Sequence, residues 1–153
     1  MKTAVLLHNV RSAHNVGSIF RTCDAAGVSR VFLSGYTPTP RDRFDRMQKT
    51  IAKTALGAEA FVPWEYRKSP LAVILTLHKA GWRIVGIEQA PDAVDYRKFK
   101  SKKPVLFIFG NEVHGVPKSI LTKCDAIVEI PMRGKKESLN VSVAAGIILF
   151  SAR

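Results

Sequence analysis

The sequence predicts an α/β fold, a mostly parallel sheet flanked by helices. Short apolar runs alternate with helical patterns along the whole chain. Several runs are apolar at every position rather than at alternate ones, as in strands buried on both faces of a parallel sheet. Gly27 and Gly81 each follow a helical pattern, where a left-handed C-cap residue is favoured.

The individual elements follow from these patterns in chain order. The predicted strands are Ala4–His8, Arg30–Leu33, Ala60–Val62, Arg83–Ile87, Val105–Phe109 and Ala126–Ile130. The predicted helices are Asn15–Ala26, Pro70–Ala80, Pro117–Cys124 and Leu139–Ala152. Two polar, basic segments, 37–54 and 91–104, are predicted to be long loops, the first with about one helical turn. No repeat or linker divides the 153 residues, so we expect a single domain, 1–153.

The charge is strongly unbalanced, with 24 Lys and Arg against 12 Asp and Glu and a net charge of +12. Such an excess favours a polyanionic partner, nucleic acid before an anionic membrane, although a merely solvated basic surface has the same composition. No apolar run is long enough for a signal peptide or a membrane span, so we expect a cytoplasmic protein. Cys23 and Cys124 have no metal-like spacing, and reduced core thiols are favoured over a disulfide.

Several classes of enzyme lack support in this sequence. It contains no GxGxxG motif after a strand, no GxxxxGK[ST] motif and no GxSxG motif. A nicotinamide-dependent Rossmann enzyme, a P-loop nucleoside triphosphatase and an acyl hydrolase are therefore disfavoured. The four histidines also lack the spacing of metal ligands, so we expect no metal site.

Polar residues next to strand ends form the first candidate site. Asn15 is predicted to cap the first helix, with Arg21 six residues later on roughly the same side of that helix. The alternative is an ordinary capped surface helix in which Arg21 forms a salt bridge with a neighbour.

A second polar segment follows the predicted strand Val105–Phe109. Ligands of parallel sheets collect at the carboxyl ends of strands, and this loop lies there. Gly110 and Gly115 allow the backbone to face a ligand, and Glu112 is placed to orient a hydroxyl, an amide or a guanidinium. The alternative is a tight turn that Glu112 only supports.

A third polar segment places Ser138 and Asn140 before an apolar C-terminal helix. Either residue is able to cap that helix, and capping is the alternative to a role in a site. The helix is apolar on several faces, so it must be buried by the rest of the chain or by a second subunit, and we expect a second subunit.

Together the three segments resemble, in order, the motifs of the SpoU (TrmH-like) branch of the SPOUT RNA methyltransferases. The matching segments are Asn15–Arg21 (NVGSIFR), Phe109–Gly115 (FGNEVHG) and Ile130–Asn140 (IPMRGKKESLN). The similarity extends from about Val5 to Phe150. It implies a SPOUT fold with a C-terminal deep trefoil knot, a homodimer, S-adenosylmethionine as cofactor, and methylation of a ribose 2′-hydroxyl in tRNA or rRNA.

The resemblance also assigns roles to residues. The implied catalytic residues are Arg21, Asn15, Glu112, Ser138 and Asn140. The implied cofactor-binding residues are Ile87, Glu88, Gly110, Asn111, Gly115, Ile130, Met132, Ser138 and Leu139. The basic residues expected to bind RNA are Arg11, Arg41, Arg43, Arg46 and Lys49, with further basic clusters at 97–103 and 133–136. The resemblance implies that Arg21 activates the target hydroxyl. Because a guanidinium is a poor base, we expect Arg21 to stabilise a developing alkoxide, and proton abstraction by Arg21 is the alternative.

Two other functions remain open at this stage. One is a non-catalytic RNA-binding dimer that kept the methyltransferase fold. The other is a cofactor-binding α/β enzyme acting on a small anionic metabolite. Larger members of the family carry an additional N-terminal RNA-binding domain. Here we expect substrate choice to depend on the chain's own loops, the dimer groove or a partner protein.

Overall fold

The computed structural model describes residues 1–152 and contains a seven-stranded sheet. The strands are β1 (Thr3–His8), β2 (Arg30–Ser34), β3 (Trp64–Tyr66), β4 (Arg83–Ile87), β5 (Val94–Asp95), β6 (Val105–Phe109) and β7 (Ala126–Glu129). Their order across the sheet is β3-β2-β1-β6-β4-β7-β5, and every neighbouring pair is parallel. The predicted parallel α/β sheet is confirmed.

Helices cover both faces of this sheet and create two hydrophobic cores. The helices are α1 (Ala13–Ala25), α2 (Lys49–Ala55), α3 (Ala58–Phe61), α4 (Pro70–Lys79), α5 (Lys118–Leu121) and α6 (Val141–Ser151). The first core lies between the sheet and α1, α2, α3 and α6, and the second lies between the sheet and α4 and α5. Successive residues of a strand point to opposite faces, so Phe107 enters the first core and Leu106 and Ile108 enter the second. This two-sided burial explains why the β6 sequence is apolar at every position.

The two cysteines belong to different cores. Cys23 is buried in the first, Cys124 borders the second, and both are free thiols. Burial raises the pKa of both, to about 11 for Cys124. The prediction of reduced thiols is confirmed.

The prediction of a strand at Ala60–Val62 is wrong. Residues Ala58–Phe61 form α3, and the strand β3 begins only at Trp64. Gly57, with a φ of 91°, occupies the N-cap position of α3, and Pro63 separates the helix from the strand. A short apolar run has the same composition in a helix and in a strand, so periodicity does not distinguish them here.

The two predicted long loops contain more regular structure than expected. The helix α2 extends over seven residues, starts after the Gln48 N-cap and buries Ile51 and Ala55. The second segment contributes the edge strand β5. The predicted helix Pro117–Cys124 is shorter, because α5 comprises only Lys118–Leu121.

The strand order has one further feature. Strands β4 and β5 are consecutive in sequence, yet β7 lies between them. This order agrees with the trefoil knot implied by the family resemblance, and the knot itself stays a prediction. Within residues 1–152, no helix is both long and apolar enough to cross a bilayer.

Candidate active site

A pocket of about 410 Å³ opens at the carboxyl edge of the sheet. Because all strands are parallel, the segments that follow β4, β6 and β7 meet at this edge, where α/β proteins bind ligands. The volume is within the range of small-molecule sites. No cluster of three or more His, Cys, Asp or Glu suited to a metal ion occurs in the described part of the chain.

Every residue that the family resemblance implied for cofactor binding lines this pocket. These are Ile87 at the end of β4 and Glu88 after it, Gly110, Asn111 and Gly115 after β6, and Ile130, Met132, Ser138 and Leu139 after β7. Three loops far apart in sequence therefore enclose one space. That the pocket binds the cofactor remains a proposal.

The loop between Gly110 and Val116 closes on itself and on Glu88. A side chain at Gly110 would come within 2.3 Å of the Gly115 carbonyl, and one at Gly115 would come within 1.9 Å of Glu88 Oε2. Gly115 also has a φ of +68°, which L side chains rarely adopt. The Glu88 carboxylate accepts hydrogen bonds from the backbone N–H groups of Val116 and Gln89, both at 2.9 Å. The two glycines are thus required by the fold of the loop itself.

The electrostatic character of the pocket is opposite to that of the whole chain. Its lining includes three glutamates, Glu88, Glu112 and Glu129, and neither Lys nor Arg among the described residues. The chain as a whole carries a net charge of +12. A pocket with this lining favours a cationic ligand and disfavours phosphates and other anions.

A chain of hydrogen bonds connects the pocket loop to two helix starts. The Glu112 carboxylate accepts from the backbone N–H groups of Arg11 at 3.1 Å and Ser12 at 3.2 Å. The Asn15 side-chain amide donates to Glu112 at 3.5 Å, and its oxygen accepts from the Asn140 amide at 3.2 Å. Residues about 100 and 125 positions apart in sequence are thereby joined. We call Asn15, Glu112 and Asn140 the Glu112 network.

The predicted cap of the first helix was wrong, and at the last helix Asn140 has the capping role that was the alternative to a role in a site. Ser12, not Asn15, caps α1, and its hydroxyl accepts a hydrogen bond from the Asn15 backbone N–H at 3.1 Å. This cap leaves the Asn15 side chain, 8% exposed, available for the Glu112 network. Asn140 caps α6 by accepting from the Ser142 backbone N–H at 2.9 Å.

Arg21 does not lie with the other predicted catalytic residues. It is exposed on α1, is absent from the pocket lining, and forms no hydrogen bond or ion pair with any residue from Met1 to Ala152. Six residues turn an α-helix by about 600°, which places Arg21 about 120° around the helix from Asn15. The prediction of a shared side was therefore wrong. Ser138 lines the pocket together with Glu112 but forms no hydrogen bond with the Glu112 network.

The profile of the SpoU rRNA methylase family matches residues 2–150. The chain belongs to this family. A protein of Staphylococcus haemolyticus assigned to the TrmH family of tRNA/rRNA methyltransferases is 35% identical over 150 residues, or 98% of this chain and 57% of the relative. The chain thus spans little more than half the length of this relative.

Solved structures of this family have the same fold. An rRNA methyltransferase from Sinorhizobium meliloti with bound S-adenosylmethionine superposes with a TM-score of 0.88 at 32% identity, over 99% of this chain and 56% of that one. A TrmH/SpoU tRNA-modifying enzyme from A. aeolicus superposes with a TM-score of 0.85 at 31% identity, over 98% of this chain and 73% of that one. The SpoU/TrmH fold is therefore shown for this chain.

The basic segment 41–49 also contains acidic residues, which partly neutralise its positive charge. Arg46 pairs with Asp42 at 2.7 Å, and Arg41 lies 3.8 Å from Asp45. The Arg46 backbone N–H, the largest cause, holds the pKa of Asp42 below its ordinary value. Arg43 and Lys49 form no ion pair with any residue of the described chain. The predicted RNA-binding role of this segment stays a prediction.

Sequence reasoning missed several residues that line the site, and two of them bear on its chemistry. Glu129 ends β7 and adds to the acidity of the pocket, and its place at a strand end was a usable signal. Tyr36 follows β2 and lines a second cleft with Arg11 and Glu112. Arg11, predicted to bind RNA, is exposed at this cleft.

Proposed function

We propose that this chain is an S-adenosylmethionine-dependent methyltransferase that modifies a ribose 2′-hydroxyl in tRNA or rRNA. The supporting observation is the single acidic pocket that all nine implied cofactor-binding residues line. S-adenosylmethionine is a cation through its sulfonium and ammonium groups, so it fits a pocket with three glutamates and no basic residue among those described. The family membership of residues 2–150 and the relatives named for tRNA or rRNA support an RNA substrate.

The pocket residues divide into two groups by chemistry. Ile87, Ile130 and Leu139 supply apolar surface for the adenosine part of the cofactor. Glu88 and Glu129 supply the negative charge that a cationic ligand requires. When bound, the cofactor supplies a methyl group that is electrophilic because it is attached to a sulfonium.

The residues around the reacting hydroxyl orient it and stabilise charge. The Glu112 network joins three segments, and its member Glu112 lines the pocket, so this carboxylate is held in place before substrate binds. A guanidinium is a poor base, so Arg21 is not assigned the role of proton acceptor. Its role in this proposal is to stabilise the negative charge that develops on the ribose oxygen as the proton leaves to solvent.

The proposal requires a homodimer, because Arg21 lies outside the pocket of its own protomer. The helix α6 exposes Val143, which is 50% accessible, although nearly all of its residues are apolar. A side chain at Gly146 of α6 would come within 4.0 Å of Thr22 of α1, so α6 packs against the part of α1 that carries Arg21. Pairing two copies through the exposed face of α6 buries Val143 and brings Arg21 of one protomer toward the pocket of its partner.

Two measurements test the proposed function. Calorimetry measures binding of S-adenosylmethionine and, separately, of bulk tRNA. Labelled methyl transfer into total RNA from a strain that lacks the gene, followed by nucleoside mass spectrometry, identifies the product. We expect cofactor binding and a 2′-O-methylnucleoside.

Other results identify the alternatives. RNA binding without cofactor binding indicates the non-catalytic RNA-binding dimer. A product methylated on the base rules out the ribose as target. Cofactor binding with no transfer to any RNA favours a different substrate and contradicts the proposal.

A further inference from the structure

A second cleft of about 460 Å³ adjoins the acidic pocket. It is lined by Arg11, Ser12 and Tyr36, and by the segment 111–114, which also lines the pocket. A ligand in this cleft would therefore be next to a ligand in the pocket. The cleft differs in charge from the acidic pocket, because its lining includes the exposed guanidinium of Arg11. We call it the Tyr36 cleft.

Tyr36 is held in place at both ends and is nevertheless exposed. Its backbone N–H donates to Asn9 Oδ1 at 3.0 Å, and its hydroxyl accepts from the Asn111 amide at 3.0 Å. Asn111 also donates to the Asn9 carbonyl at 3.0 Å, so the three residues brace one another. The Tyr36 residue remains 57% exposed. An aromatic ring that is fixed before binding loses little conformational entropy when a ligand stacks on it.

The backbone around Tyr36 allows this bracing. Asn9 adopts a φ of 56°, and the neighbouring Gly35 adopts a φ of 62°. A side chain at Gly35 would come within 1.8 Å of Asn9 Oδ1. The turn that presents Tyr36 therefore depends on a glycine at position 35.

The chemistry of the Tyr36 cleft suits a nucleotide. An exposed aromatic face stacks on any base, and an adjacent arginine binds its phosphate. The Glu112 carboxylate, which also lines the cleft, already accepts hydrogen bonds from the backbone N–H groups of Arg11 and Ser12. Repulsion between Glu112 and an incoming phosphate is reduced by these donors.

We propose that the Tyr36 cleft holds the target nucleotide, with its base stacked on Tyr36 and its phosphate near Arg11. The ribose then lies at the shared segment 111–114, facing the pocket. This inference rests on the proposed function and identifies how the substrate base is recognised. It makes Tyr36 a determinant of RNA binding rather than of cofactor binding.

The test compares Tyr36→Leu with Tyr36→Trp and with Phe61→Leu. Phe61 is an exposed aromatic residue, 73% accessible, on α3 and outside both cavities, so it controls for loss of any surface ring. Methyl transfer is measured with total tRNA and ribosomal RNA from a strain that lacks the gene. We expect Tyr36→Leu to raise KM for RNA roughly 5-fold to 150-fold, as expected for one lost stacking contact. Tyr36→Trp and Phe61→Leu should stay within about 3-fold of the parent, since each keeps a ring in the cleft.

Calorimetry with S-adenosylmethionine provides the second measurement. Unchanged cofactor affinity in Tyr36→Leu, together with the raised KM, supports the proposal and shows that the pocket is intact. An active parent whose KM is unaffected by Tyr36→Leu, or equally affected by Phe61→Leu, overturns this inference alone. A parent that methylates no RNA overturns both this inference and the proposed function.

Discussion

Asn15 and Arg21 lie on the same helix, and their surroundings are opposite. Asn15 is 8% exposed and bonds to both Glu112 and Asn140. Arg21 is exposed and has no polar partner among residues 1–152. Both were predicted to act in one site, yet only Asn15 is part of it within a single protomer.

The contrast between Asn15 and Arg21 indicates which parts of the proposed site form within one protomer. The Glu112 network joins segments that the parallel sheet brings to its carboxyl edge, so it forms when the domain folds. Arg21 is exposed on α1 next to Thr22, the residue at which α1 packs against α6. In the proposed function, the network depends on folding and Arg21 depends on dimerisation.

The largest expected effect comes from Arg21→Ala. Removing a group that stabilises charge in the transition state typically lowers kcat about 100-fold to 1,000-fold. The exposed side chain has no partner in the described chain, so the melting temperature and the cofactor affinity should not change. Kinetics, thermal unfolding and calorimetry measure the three quantities. Unchanged turnover would remove Arg21 from the mechanism.

Mixed dimers test whether Arg21 acts on the partner's pocket. Arg21→Ala and Asn140→Ala chains, each expected to be inactive alone, are co-expressed with different affinity tags and purified as the mixed dimer. If Arg21 acts across the interface, one site combines both intact residues, and about half of the parental turnover returns. If Arg21 acts within its own chain, neither site is complete and the mixed dimer stays inactive.

The sequence predicted the sheet well because its strands are buried on both faces. Continuous apolar runs such as Val105–Phe109 have few alternatives to a central strand. The segment Ala60–Val62 was misassigned because three apolar residues carry no periodicity, and Gly57 and Pro63 determine the structure there. The edge strand β5 was missed because two exposed or half-buried residues leave no apolar signal.

Most residues of the site were predicted from the family motifs, because patterns within each short segment do not show which segments meet. No local pattern indicates that Asn140 bonds to a side chain 125 positions away, and only the family motifs placed the two together. The error at Arg21 was geometric, because six residues along a helix fall short of two full turns. Tyr36 was missed since its role depends on Asn9 and Asn111, whose proximity only the folded sheet reveals.

A smaller effect is expected for Glu112→Gln, which changes the network rather than Arg21. The amide keeps the size of the side chain but replaces one acceptor oxygen by a donor that faces the N–H groups of Arg11 or Ser12. We expect the free energy of unfolding to fall by about 1 kcal/mol, because Glu112 is exposed to solvent. Turnover should fall about 10-fold, because the pocket loop is less well positioned. Thermal unfolding and kinetics measure both.

The control for this change is Glu65→Gln. Glu65 pairs with Arg30 and Arg67 at the surface, away from both cavities, and exposed pairs contribute little stability. The Glu65→Gln variant should therefore have the same turnover as the parent. Equal losses of turnover in the two variants would show that Glu112 has no specific role in positioning.

The smallest effect is expected in the basic segment 41–49. Its four residues that are predicted to bind RNA are of two kinds in the structure. Arg43 and Lys49 have no ion-pair partner in the described chain, whereas Arg41 and Arg46 are already paired with acids. Reversing Arg43 and Lys49 to Glu should weaken RNA binding roughly 10-fold and reduce its salt dependence by about one to two ions. The matched control reverses Lys79 and Lys123, two exposed lysines that precede β4 and β7 at the opposite edge of the sheet and lie outside the predicted basic clusters. Equal salt slopes in the two double variants would mean that RNA senses only the net charge, and the segment 41–49 would then have no defined place in the RNA interface.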